Sequence, residues 1–286
     1  MTVYLQQERY RMIGGSRVCC VDEGTGPAVL MVHGLGGSIC NWAPTIEHFK
    51  RTHRVVALDL PGFGKSVPSA CGCDVPSFAG VILELLGSLG IDRAIVIGNS
   101  FGGTLALHLA LEHPGLVENV VLVDAAGTNS FPELLKVAVM RLPDRWVKKA
   151  LLFLVSYLVR FRFAYRVAGI YNLNEYTRPL LQEAIDTAAR PDLREYMDTY
   201  LQTARTALAV RYDDRLGQIA VPVLVVWGQQ DKALPLKIGQ RMNRLITGSF
   251  LVAVPDAAHV PQLDRPDVFN AAVESFLSGA SRGDAG

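Results

Sequence analysis

The 286-residue sequence contains no uninterrupted apolar run approaching the roughly 20 residues that a membrane-spanning helix needs. Its opening residues, from Met1 to Tyr10, lack the basic start and apolar stretch of a secretory signal. These two absences make a soluble, cytoplasmic protein the expectation. An excess of one charge is missing too: 28 Lys and Arg face 27 Asp and Glu, a formal net charge of +1. Nothing in that balance calls for nucleic acid or another polyanion as partner. Cysteine is sparse, with five residues that suggest no disulfide framework: Cys19 and Cys20 are adjacent, one glycine separates Cys71 from Cys73, and Cys40 stands alone. A reducing compartment suits that pattern. Cys71-Gly72-Cys73 also lacks the second ligand pair of a structural zinc site, so free thiols are expected there.

What is present is apolar and regularly interrupted. Half of the residues are hydrophobic, enough for a sizeable core. Short runs rich in β-branched residues at 28–32, 54–58, 93–97, 117–123, 221–227 and 250–254 read as strands, mostly buried on both faces as in a parallel sheet. Helical patterns at 77–89, 101–112 and 266–277 give the alternation of an α/β fold with right-handed crossovers. The residues up to Asp22, followed by the turn Glu23-Gly24-Thr25-Gly26-Pro27, fit antiparallel edge strands. Between 129 and 217 the alternation stops and helical patterns punctuated by Pro132, Pro143, Pro179 and Pro191 take over. The expected division is a core of 1–128 with 218–286 and a helical cap at 129–217.

Gly98-Asn99-Ser100-Phe101-Gly102 lies between a strand and a helix. A turn this sharp pushes a serine hydroxyl above the end of a sheet, and it needs glycines where a Cβ would strike a neighbouring element. Serine is a poor nucleophile by itself, so the chemistry requires a histidine to take its proton and an acid to orient that histidine. Of six histidines, His259 follows the strand at 250–254 directly and comes after the serine in the chain. Asp231, in the loop after the strand ending at Trp227, is the preferred acid. Asp124, after the strand at 117–123, is its rival, otherwise making hydrogen bonds in its own turn.

An oxyanion forming on the substrate also needs donors, each worth about 2.7–4 kcal/mol. The backbone N–H of Phe101, next to the serine, is one candidate. Leu35 in His33-Gly34-Leu35-Gly36-Gly37 is the other, with Gly36 as the alternative. That glycine loop lacks both the Lys-Ser/Thr ending of a phosphate loop and the spacing of a dinucleotide fingerprint, so it is not read as a cofactor site.

Together with Asp59-Leu60-Pro61-Gly62-Phe63-Gly64-Lys65-Ser66, these segments occur in an order that resembles the α/β-hydrolase fold along nearly the whole chain. The resemblance implies a mostly parallel sheet flanked by helices, a helical cap, a Ser100, Asp231, His259 triad, and no metal or organic cofactor. Dehalogenases and epoxide hydrolases of this fold use an aspartate where this chain has Ser100. The expected activity is therefore hydrolysis of a small carboxylic ester or related acyl bond through an acyl-enzyme. Hydrolases of carbon–carbon bonds in aromatic ring-cleavage products have a similar elbow and form the alternative. They often carry methionine after the serine and tryptophan after the histidine, where this chain has Phe101 and Val260. A third reading, from another class, is a ligand-binding or signalling module on the same fold.

The cap sequence is unusual in charge. Between 141 and 166 it carries Arg141, Arg145, Lys148, Lys149, Arg160, Arg162 and Arg166 against Asp144 alone, around an apolar stretch. This reads as an amphipathic helix with basic ends packed on the core. In the sharper reading it forms a cationic mouth for anionic or hydrophobic acyl substrates, or touches a membrane surface transiently.

Overall fold

The computed structural model describes residues 8–68, 72–129, 137, 139–141, 143–144, 146, 169–171 and 173–279. Eight strands form one sheet: β1 (Arg9–Ile13), β2 (Ser16–Glu23), β3 (Ala28–Val32), β4 (Arg54–Leu58), β5 (Ala94–Asn99), β6 (Val117–Val123), β7 (Val223–Gly228) and β8 (Phe250–Val254). Their order is β1-β2-β4-β3-β5-β6-β7-β8. β2 runs antiparallel to both neighbours, and every pairing from β4 to β8 is parallel. The expected antiparallel edge is therefore present.

The continuous apolar runs have a direct explanation. In β5, Ala94 and Val96 face one core cluster while Ile95 and Ile97 face the other; in β6, Val120 and Leu122 alternate in the same way with Val121 and Val123. A strand covered on both faces buries every side chain, so the period-2 alternation vanishes from the sequence. β5 extends beyond 97 because Gly98 and Asn99 still pair with Leu122 and Val123.

The helices around the sheet are α1 (Ala43–Phe49), α2 (Val75–Ser88), α3 (Phe101–Glu112), α4 (Arg178–Ala188), α5 (Leu193–Ala209), α6 (Lys237–Leu245), α7 (Pro261–Asp264) and α8 (Pro266–Leu277). Asp74 caps α2 by accepting the Ser77 N–H at 2.8 Å. The helix α6 escapes notice in the sequence because it is mainly polar, burying only Ile238, Gly239 and Met242. Both α4 and α5 lie between β6 and β7 in the chain, yet those two strands pair directly, with Val120 opposite Val223. The insertion is closed at its base, where Tyr212 N–H donates to Gly127 O at 2.8 Å and Asn129 N–H to Asp213 Oδ2 at 2.9 Å. Of its basic set, Arg145, Lys148, Lys149, Arg160, Arg162 and Arg166 lie outside the described residues. Cys71 does as well, while Cys19, Cys20, Cys40 and Cys73 are free thiols. No described helix is long and apolar enough to cross a membrane.

Candidate active site

Among the described residues, Ser100, Asp124 and Asp256 have positive φ without being glycine, and they follow β5, β6 and β8 at the carboxyl end of the sheet. Such backbone strain concentrates where a site over-determines its geometry. Ser100, with φ 55° and ψ −115°, turns the chain from β5 into α3. A methyl on Gly98 would strike the Gly102 carbonyl, and one on Gly102 would strike the Val32 carbonyl, so both positions exclude a Cβ. The Ser100 carbonyl accepts from Gly103, Thr104 and Ala126, which pins the turn.

His259 lies in the loop after β8 and Asp231 in the loop after β7. His259 Nδ1 and Asp231 Oδ2 are 2.7 Å apart, while Asp231 Oδ1 accepts the Ala233 and Leu234 amides at 2.7 and 3.1 Å. Burial acts to raise the Asp231 carboxyl, but the bond to His259, the charge of that ring, the Leu234 amide and the Asp124 side chain hold it below its usual value. The two loops are tied by Gln230 N–H to Ala257 O at 2.9 Å and by Ala257 N–H to Gln230 Oε1 at 3.1 Å.

The rival acid sits in the same cluster. Asp124 is fully buried, and it, Asp231 and His259 each place a polar atom within 4.8 Å of the others. Asp124 accepts the Gly228 amide at 3.0 Å. Burial first, then the neighbouring Asp231 and Asp264 carboxylates, push its carboxyl well above the usual range. Burial and charged neighbours thus favour the neutral form of Asp124, while the bonds around Asp231 favour its charged form. Three such groups could in principle hold a cation, but Asp231 already serves two amides and the imidazole, and Asp124 serves Gly228. These donors are committed within the protein.

Leu35 and Gly36 follow β3 beside the elbow: the space above Gly34 is filled by the Ser100 side chain. Phe101 opens α3, where backbone N–H groups have no acceptor within the helix. His33 holds the glycine loop from below, with Nδ1 2.7 Å from Gly34 O and Nε2 accepting the Leu60 amide at 2.9 Å. Burial lowers its pKa to about 4, so the ring is neutral, as that bonding requires. From the insertion, Glu183 on α4 accepts the Ser38 hydroxyl at 3.0 Å, and Tyr200 and Tyr196 on α5 fill the space in front of Gly36.

One contributor escaped sequence reasoning although it lies inside the elbow. Asn99 Nδ2 donates to Val123 O at 3.1 Å and to His259 O at 3.0 Å, joining the serine turn to the histidine loop. Its polarity at the end of an otherwise apolar strand is the signal that marks it.

Residues 27–266 match the alpha/beta hydrolase fold family, and the chain belongs to that family of hydrolases. A 2-hydroxy-6-oxononadienedioate/2-hydroxy-6-oxononatrienedioate hydrolase of Burkholderia vietnamiensis is 29% identical over 271 residues, 91% of each chain. A meta-cleavage product hydrolase of Pseudomonas fluorescens is 26% identical, with a TM-score of 0.74 over 95% of this chain and 98% of that one. A thermophilic esterase from Thermogutta terrifontis aligns with a TM-score of 0.76 over 95% and 98% of the two chains; at 22% identity that likeness speaks to the fold alone.

Proposed function

We propose that the protein is a serine hydrolase that cleaves small carboxylic esters or related acyl bonds through an acyl-enzyme. The observation that carries this reading is the strained Ser100 at the end of β5, gathered at one edge of the sheet with a His259–Asp231 pair 2.7 Å apart. In this reading Ser100 Oγ attacks the carbonyl carbon as its proton passes to His259 Nε2, and the carbonyl oxygen takes the negative charge. The Leu35 and Phe101 N–H groups stabilise that oxyanion. Collapse of the intermediate expels the alcohol, protonated by His259. Water, deprotonated by the same ring, then releases the acid and restores Ser100. Asp231 holds the imidazole with Nδ1–H inward and balances its charge when protonated. Treatment with a fluorophosphonate followed by mass spectrometry is the test. The expected result is a single adduct on Ser100, lost in Ser100→Ala; folded protein without the adduct rejects the reading.

Carbon–carbon bond hydrolysis of a ring-cleavage product is the second reading, favoured by the full-length similarity to hydrolases of that kind. It uses the same residues. Turnover of a vinylogous diketone acid with no turnover of p-nitrophenyl esters would select it over the first.

A further inference from the structure

The insertion returns to the core through residues 169–171 and 173–174, which are bonded to the loop and short helix around His259. His259 N–H donates to Gly169 O at 2.9 Å. Gly169 has a φ of +81°, and a methyl there would press on His259 Cβ. Two residues on, the Tyr171 amide lies 3.0 and 3.1 Å from the Asp264 carboxylate oxygens, and the Ala258 amide donates to the same carboxylate at 2.9 Å. Asp264 is 3% exposed. A buried carboxylate is retained at such a place only if its oxygens are well satisfied. Here they are satisfied by one amide from the insertion and one from the residue before His259. Asn174 extends the link by donating to Leu263 O at 2.7 Å, and Ile170 packs against Val260 and Leu263.

We propose that Asp264 is a positioning residue: it straps the returning end of the insertion to the histidine loop, so the insertion sets the placement of His259 along with Asp231. Asp264 acts through the Ala258 and Tyr171 amides, one residue before the histidine and two after Gly169. The inference rests on the reading of His259 as the general base. A strap of this kind makes any displacement of the insertion a displacement of the base. Reaction rate then depends on a segment that need not touch the reacting bond.

Asp264→Ala removes the acceptor. Gly169→Ala is the second variant; it keeps the carboxylate but drives a methyl onto His259, and it covers the case in which the first variant does not fold. In folded protein, both variants should label Ser100 with fluorophosphonate about 10- to 100-fold more slowly than wild type, the scale of a misplacement near 1 Å. On an ester substrate the loss should fall on kcat, with KM little changed. Amide hydrogen exchange in Asp264→Ala, which needs no substrate, should rise in both 169–174 and 256–262 while the elbow at 98–104 stays protected. Wild-type labelling rates with a lowered Tm would make Asp264 merely structural and overturn the proposal, as would exchange that rises in only one of the two segments. A wild-type protein that never labels would instead reject the serine hydrolase reading, and the exchange measurement would still decide the strap.

Discussion

Two carboxyl groups near one imidazole pose the sharpest question at the scale of single residues. Coulomb repulsion between like charges in a dry site forbids both from ionising, so one must keep a proton. The geometry assigns that proton to Asp124, which is fully buried beside Asp231 and Asp264 and has one backbone donor, Gly228, whereas Asp231 has two amides and His259. A neutral Asp124 donates to Asp231 and accepts from Gly228, a pattern an asparagine reproduces. Asp124→Asn should therefore retain most activity. If Asp231 is the orienting acid of the proposed mechanism, Asp231→Asn should lose about 10⁴-fold in kcat, because it no longer fixes the tautomer. Stability gives a second readout. Above the ordinary carboxyl value of 3.8, an unfolded chain has released the Asp124 proton while the folded chain keeps it, so wild-type stability falls as pH rises through that window. Asp124→Asn has no such proton, and its Tm should gain on wild type as pH rises above about 4. A constant Tm difference across that range would reject the proton assignment.

Elements differ in how plainly they could be read. The strands β3 to β7 were legible because coverage on both faces made each a short apolar run, and α8 was legible from its bounding proline. The helix α6 was not, because its polar composition hides a stripe of only three apolar residues, although Ile238, Met242 and Leu245 are spaced as on one helix face. The same contrast runs through the site. Ser100 stands directly after β5, and Asp231 and His259 lie in the loops after β7 and β8, all at the carboxyl end of the sheet. Asn99, Gly169 and Asp264 act on backbone groups distant in the chain, with Asn99 reaching His259 O and Asp264 reaching Tyr171 N, and no local pattern encodes such partners. The elbow also makes a prediction about packing. Gly102 faces the Val32 and His33 carbonyls, which are backbone and cannot rotate away. Gly102→Ala should cost about 1–3 kcal/mol through overpacking. It should also slow Ser100 labelling, because the methyl forces α3 away from β3. Thermal melts and labelling rates check both effects, and a variant with wild-type values would show that the turn tolerates a Cβ.

At the scale of the whole molecule, the insertion between β6 and β7 approaches the site without disturbing the sheet. The bonds between Gly127 and Tyr212 and between Asn129 and Asp213 bring its two ends together, so β6 and β7 stay paired beneath it. Among the described residues, α5 reaches back over the carboxyl end of the sheet, beside the Glu183 contact that α4 makes to Ser38. Tyr200 stands against Gly36, Thr199 against Gly62, and the Tyr196 ring meets Phe63 edge-on at 6.0 Å. Under the proposed ester hydrolysis, with the oxyanion on the Leu35 and Phe101 amides, an acyl group that extends toward those rings would have its accepted length governed by α5. Removing the Tyr200 ring leaves Ser100, His259, Asp231 and the amide donors in place while opening that space. Tyr200→Ala should raise kcat/KM for p-nitrophenyl octanoate relative to acetate, with the fluorophosphonate labelling rate unchanged. If the octanoate-to-acetate ratio stays at its wild-type value, the acyl chain leaves the site by another direction and α5 is not its wall.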